Sequence, residues 1–237
     1  MEIIFYYNVL RRCPGFAQGI HFIIIGDVII HMNKRYQVFV SSTYKDLKEE
    51  RSGVITAVLG IGCIPVAMEQ FPAAPVSQWE YIKNMIDESD YIVLIVAGCY
   101  GTEDRIEKTS FTEKEFNYAK EIGKPVLPFL IQNPESLSVS KSENSDSKKK
   151  KLQDFREKIE DSGCLVNYYT NVDDLKYKVA VSVTTCISNN PGVGWVRADQ
   201  VEKIVENLKQ SKTVDAGDIM PMYKIASEED IKRMFDK

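Results

Sequence analysis

From Tyr36 onward the chain alternates short apolar runs with longer stretches of helical spacing. YQVFV (36–40) is rich in β-branched and aromatic residues and ends at Ser41-Ser42-Thr43, so it reads as a strand. Helical spacing follows across 44–59, where Leu47, Val54, Ile55, Val58 and Leu59 share one side, until Gly60 and Gly62 stop it. CIPVAM (63–68) is a second strand, and the proline-rich FPAAP then leads to Ser77, an N-cap for a helix through Asp87. DYIVLIVAG (90–98) is continuously apolar, the pattern of a strand buried on both faces of a parallel sheet. Thr112 to Ile122 is helical in pattern and closed by Gly123, and PVLPFLI (125–131) is the fourth strand. Strands separated by helices at this spacing are βαβ units. The fold class expected is therefore α/β, a doubly wound, mainly parallel sheet of flavodoxin-like type.

Residues 32–131 form the core of that reading. Residues 132–150 are Ser/Lys/Asn-rich and nearly free of apolar side chains, so they read as a flexible loop. A helix at 151–161, the strand CLVNYY (164–169) and a helix at 173–187 complete the α/β domain over 151–188. NNPGVG then breaks the chain, and 189–237 reads as a helical C-terminal extension with helices at 199–210 and at SEEDIKRMF. Residues 1–31 stand apart. Their apolar stretch from Ile20 to Ile30 contains Asp27 and is far short of the roughly 20 residues that cross a bilayer. A leader or mis-set start, with Met32 as the working start, is the preferred expectation. A hairpin turning at Gly26-Asp27 is the second reading, and a targeting segment the third.

Composition narrows the chemistry. The 237 residues carry 30 Lys+Arg against 34 Asp+Glu, a net charge of −4 that supplies no footprint for nucleic acid. The five cysteines (Cys13, Cys63, Cys99, Cys164, Cys186) never form a CxxC pair, so no metal site is expected. They fit small buried hydrophobes in a reducing, cytoplasmic setting with no membrane attachment. The two histidines, His21 and His31, both precede Met32. Catalysis in the body would have to run on carboxylates rather than on imidazole.

In open parallel sheets, ligands bind beyond the carboxyl ends of the strands. Ser41, Ser42 and Thr43 follow the first strand, Glu69 the second, and Gly98, Tyr100 and Gly101 the third. Ser110 and Thr112 open a helix whose first amides favour anions. Glu115 lies in that first turn and lines up with Ala119 and Ile122, the stripe that faces the sheet. Such a carboxylate points into the crevice. Two capping boxes compete for it: Thr112-x-x-Glu115 would use Glu115 as a cap, whereas Ser110-x-x-Glu113 would leave it free. Arg51 either pairs with a local glutamate or touches a phosphate. Trp79 and Phe71 either stack on a base or pack in the core, and Asp90 either caps a helix end or faces the crevice. GVGW lacks the lysine and full glycine pattern of a phosphate loop.

Taken together, F-V-S-S-T (39–43), D-L-x-x-E-R (46–51), M-E-x-F (68–71), S-D (89–90), Y-G (100–101) and S-F-T-E-K-E-F-x-x-A (110–119) resemble domain-of-unknown-function family 4062. That family is a TIR-like module often found at the N-terminus of STAND/NACHT-type ATPases. The same region is similar to TIR-domain NAD glycohydrolases, in which E-x-x-x-A carries the catalytic glutamate, and Glu115 with Ala119 fits that spacing. It is also similar to nucleoside deoxyribosyltransferases, matching them at Thr112, Glu115, Ala119 and Gly123-Lys124-Pro125. It departs from them at Thr109, Phe111 and Asn117, which stand where that group has an aspartate and two glycines.

The resemblance implies an effector that cleaves the nicotinamide–ribose bond of NAD, consumed as substrate with no cofactor, in bacterial antiphage defence. It implies Glu115 as catalytic residue and Ser41, Ser42, Thr43, Glu69, Trp79, Tyr100, Gly101, Ser110 and Thr112 as substrate-binding. Self-association and a separate sensor or effector chain are the implied partners. The alternatives are a non-catalytic oligomerisation module and a nucleoside N-glycosidase.

Overall fold

Three of the apolar runs become six-residue buried strands, and two three-residue strands join them in one parallel sheet. The computed structural model describes residues 20–25, 28–68 and 77–201. The chain divides into two compact units, Met1–Lys34 with Val196–Lys237, and Arg35–Trp195. In the first unit, β1 (Ile20–Ile25) pairs antiparallel with β2 (Val28–Asn33), from Ile25↔Val28 to Ile20↔Asn33. Residues 198–201 begin a helix there, and the extension expected beyond them lies outside the described residues.

The second unit carries β3 (Gln37–Ser42), α1 (Lys48–Gly60), β4 (Ile64–Val66), α2 (Gln78–Glu88), β5 (Tyr91–Val96), α3 (Phe111–Glu121), β6 (Val126–Ile131), α4 (Asp146–Glu160), β7 (Asn167–Tyr169) and α5 (Val172–Asn189). Its sheet has the order β4-β3-β5-β6-β7, parallel throughout. This is the doubly wound α/β fold that the spacing predicts.

Alternation along the strands sorts their side chains onto two faces. Tyr36, Val38 and Val40 share a buried cluster with Val54 and Val58 of α1 and Leu175, Val179 and Val183 of α5. Phe39, Ile92, Leu94 and Val96 join Ile82 and Ile86 of α2, Phe116 and Ala119 of α3, and Phe155 and Ile159 of α4 on the other. Every residue of β5 is buried, as its unbroken apolar run requires.

Several boundaries differ from the sequence pattern. The first helix begins at Lys48 rather than 44, because Tyr44 to Asp46 form bends; just ahead of them a side chain already competes for the backbone, the Ser42 hydroxyl donating to Thr43 O. The helix expected from 151 begins at Asp146. Its lysine run lies inside the helix, with Lys149 and Lys150 exposed and Asp146 favourably placed in the first turn. The segment ahead of it holds two 3₁₀ turns, Pro134–Ser136 and Val139–Lys141. The strand expected at 164–169 shortens to Asn167–Tyr169.

Past α5, NNPGVGW returns to the amino end of β5. Tyr91 Oη donates to Asn190 O at 2.8 Å and accepts from Gly192 N at 2.8 Å. Asp90 accepts from Gln37 N and Gly194 N, both at 2.9 Å. Asp90 therefore clamps the outgoing chain at the end of the sheet opposite the crevice. A Cβ on Gly192 would stand 2.6 Å from an Asp90 oxygen, so only glycine fits. Among the described residues, no helix is long and apolar enough to cross a membrane. Nor does any group of three or more His, Cys, Asp or Glu among them form a metal-holding cluster.

Candidate functional site

The chain leaves β3 toward β4 on one side and β5 lies on its other, so the carboxyl ends of β3 and β5 diverge at the topological switch point of the sheet. The last paired residues there are Ser41↔Leu94 and Ser42↔Ile95. Because adjacent strand residues point to opposite faces, Ser41 is presented to α3 and Ser42 to α1.

On the α3 face, the Ser41 hydroxyl donates to Glu115 Oε2 at 2.5 Å. Glu115 is 1% exposed, and its second oxygen, Oε1, has no hydrogen-bond partner. Burial pushes the carboxyl up to about 7 from 4.5, while the Ser41 hydrogen bond and the Arg51 charge pull the other way. A carboxylate so placed can accept a hydroxyl proton or face a developing cation with Oε1 while Oε2 stays anchored.

The competition between the two capping boxes is resolved. Ser110 is the N-cap of α3, its hydroxyl accepting from Glu113 N at 3.1 Å. The return bond runs through a third residue. Ser110 N donates to Tyr100 Oη at 3.2 Å, and Tyr100 Oη donates to Glu113 Oε2 at 2.7 Å. Glu115 is thereby released from capping. Loss of this cap in Ser110→Ala is expected to destabilise the domain by about 1 kcal/mol in urea unfolding. An unchanged midpoint would show that the helix start does not depend on it.

On the α1 face, Arg51 is wholly buried and donates from Nη1 to Ser42 Oγ at 2.6 Å. Val40 O and Ser42 O also accept from Nη1, each at 3.4 Å. The sequence readings of Arg51 do not include this contact with the end of β3. A signal existed, since Arg51 falls between Leu47, Val54 and Val58 on the apolar stripe, where a charge needs a built partner.

The remaining candidates scatter around this pair. Thr43 lies beside the buried Asp46 carboxyl, whose pKa is raised by burial. Gly101 has φ +94° and packs so close to Thr43 that a Cβ would come within 2.7 Å of its methyl group. Tyr100 is buried in the Ser110–Glu113 relay, and Thr112 is buried in the first turn of α3. Trp79 sits in the α2–α3 seam, edge-on to Tyr118 with the Lys114 ammonium 4.6 Å from its ring centroid. That ring face is already occupied by a cation rather than open for a base. Glu69 and Phe71 lie outside the described residues.

The segment expected to be a flexible loop instead docks on the carboxyl end of β5. Glu143 N donates to Gly98 O at 2.8 Å, and Glu143 Oε2 accepts from Tyr100 N at 3.2 Å. Lys141 pairs with Glu50 at 3.1 Å, and Lys148 Nζ donates to Gly101 O at 3.3 Å.

The family model of a domain of unknown function (DUF4062) matches residues 37–184. None of the curated proteins compared with the chain matches it. Among solved structures, it is similar to the TIR domains of the activated Roq1 resistosome, which directly recognizes the pathogen effector XopQ. The identity is 16% and the TM-score 0.36, over 73% of this chain and 98% of that one.

Proposed function

This chain belongs to the DUF4062 family, and from that premise we propose that it is a TIR-like NAD⁺ glycohydrolase whose switch-point crevice cleaves the nicotinamide–ribose bond. The observation that supports the reading most is the Ser41–Glu115 pair, a buried carboxylate held by one oxygen with the other left unpartnered. The resemblance of 110–119 to the glutamate-bearing helix of TIR glycohydrolases points to the same residue.

In this reading NAD⁺ is the substrate and no cofactor takes part. The C1′–N bond breaks with its electron pair passing to the nicotinamide nitrogen, which loses its positive charge. The ribose acquires oxocarbenium character, stabilised by ionised Glu115 Oε1, either directly or through a ribose hydroxyl. Water adds its oxygen to C1′, and its proton leaves through the carboxylate to solvent. A leaving group that departs neutral needs no strong acid, which suits a body without histidine. In this reading Ser41 and Thr43 contact ribose or phosphate. The ionised form of Glu115 does the work, so the rate rises with pH through about 7 and levels above it.

The test is mass spectrometry of NAD⁺ incubated with concentrated protein, wild type beside Glu115→Gln. Nicotinamide released by the wild type alone supports the reading. Equal activity of the variant, or intact NAD⁺ with an assembled protein, ends it. Self-association, a separate sensor chain and a role in antiphage defence are further parts of the proposal, supported by the resemblance to modules of STAND/NACHT-type proteins. The near-complete burial of Glu115 favours a second reading, a non-catalytic assembly module. Assembly without turnover under every activating condition would select it.

A further inference from the structure

We propose that Arg51 is the positioning residue of this site: from the face opposite Glu115 it pins the end of β3 through Ser42, so that the neighbouring Ser41 hydroxyl is presented to the Glu115 carboxylate. The inference rests on the reading of Glu115 as the working carboxylate.

The geometry is a lever one residue long. Ser41 and Ser42 are adjacent, so their side chains stand on opposite faces of the sheet. Each receives a wholly or almost wholly buried charged side chain from a helix, Glu115 from α3 and Arg51 from α1. Arg51 Nη1 holds the Ser42 hydroxyl together with the carbonyls of Val40 and Ser42. The Ser42 hydroxyl in turn donates to Thr43 O at 2.9 Å. The backbone that carries Ser41 is thereby fixed on both sides of that residue. A guanidinium is suited to this task because its planar donors reach several acceptors at once.

Arg51 also acts on Glu115 by charge. A buried guanidinium and a buried carboxylate are each unfavourable alone, and each lowers the burial penalty of the other. Among the described residues, the charged groups in the first turns of α3 pair elsewhere. Lys114 pairs with Asp104 and Glu107, Glu113 with Lys158, and Asp87 of α2 accepts from Tyr118. β6 contributes no charged side chain, and β3 offers Glu115 only the Ser41 hydroxyl. Among the described residues, Arg51 is a charge that favours the ionised form of Glu115.

The experiment follows Glu115 directly. The infrared carbonyl band of its protonated form, identified by its absence in Glu115→Gln, is titrated in full-length wild type, Arg51→Met and Arg51→Lys. Methionine is expected to raise the titration midpoint by about one pH unit, since an opposing charge nearby typically moves a carboxyl by that much or more. Lysine is expected to restore most of it. Nicotinamide release should show the same displacement of its pH profile, with kcat lowered and KM unchanged, because Arg51 touches no substrate.

A midpoint unmoved in folded Arg51→Met overturns the proposal. Should that variant not fold, Ser42→Ala carries the test. It removes the Arg51 acceptor, loosens the Ser41 hydrogen bond and moves the midpoint upward by less; no movement overturns the proposal equally. The infrared titration needs no turnover. A shifted midpoint in a protein that leaves NAD⁺ intact would uphold the role of Arg51 and remove the glycohydrolase reading.

Discussion

Replacing Glu115 by glutamine is expected to abolish nicotinamide release and, at the same time, to make the folded chain relatively more stable as pH rises. The carboxyl has a folded value of about 7 against its ordinary 4.5, because burial disfavours the charge. A group whose folded value is raised binds its proton more tightly in the folded state. Folding stability is then lost as pH climbs from 4.5 to about 7, and the full loss persists above that. At roughly 1.4 kcal/mol per unit, the loss amounts to about 3 kcal/mol above neutrality. Glutamine does not ionise and escapes it. The amide also places an N–H₂ where Oε1 has no partner, a penalty of about 1–3 kcal/mol that does not vary with pH. The informative quantity is therefore the difference between variant and wild type in urea unfolding at pH 5 and at pH 8. That difference should move in the variant's favour by about 2–3 kcal/mol. If it is the same at both pH values, Glu115 does not titrate as its burial demands. The opposing changes in activity and stability are the signature expected of a functional carboxylate held where the fold alone would not choose one.

Gly98→Ala is expected to release the segment that lies over the carboxyl end of β5. A Cβ at this position would stand 2.3 Å from Lys141 O and 2.8 Å from Leu137 Cδ1. The nearer atom is backbone and has no rotamer by which to withdraw. Either the segment lifts or the strand end shifts, and overpacking of this kind typically costs about 1–3 kcal/mol. Lifting would break the Glu143 N–Gly98 O and Tyr100 N–Glu143 hydrogen bonds and the Lys141–Glu50 pair together. Limited trypsin digestion reads the result, since Lys141 is freed as a cleavage site. Rapid cutting after Lys141 in the variant, against a resistant wild type, is the expected outcome. Equal resistance and an unchanged melting temperature would mean that the contact is not tight.

Much of the fold was legible along the chain. The unbroken apolar run at 90–98 announced a strand buried on both faces, and β5 is that strand in the middle of the sheet. Ser77 was recognisable as a cap, and its hydroxyl accepts from Glu80 N. The bends at 44–46 were missed because helical spacing continues through them while polar side chains hold the backbone elsewhere. The docked loop was missed because composition reports only that a segment is polar. It does not report that Lys141 and Glu143 find their partners more than forty residues away.

The candidate site divides in the same way. Glu115 was placed by local physics alone, four residues before Ala119 on a stripe that must face the sheet. Whether it would cap its own helix was undecidable locally, since Ser110 and Thr112 each stand three residues before a glutamate. The choice is made by distant contacts: Ser110 bridges to Glu103, Phe111 N donates to Thr102 O, and Tyr100 receives the Ser110 amide. What the sequence determined by itself was the order of strands and helices and the face on which Glu115 lies, because periodicity and burial are local properties of the chain. Only the tertiary structure decided that Ser41 would meet Glu115 and Ser42 would meet Arg51. Those pairings depend on parallel strand order and on helices packed against opposite faces, and no spacing between neighbours encodes which helix covers which face.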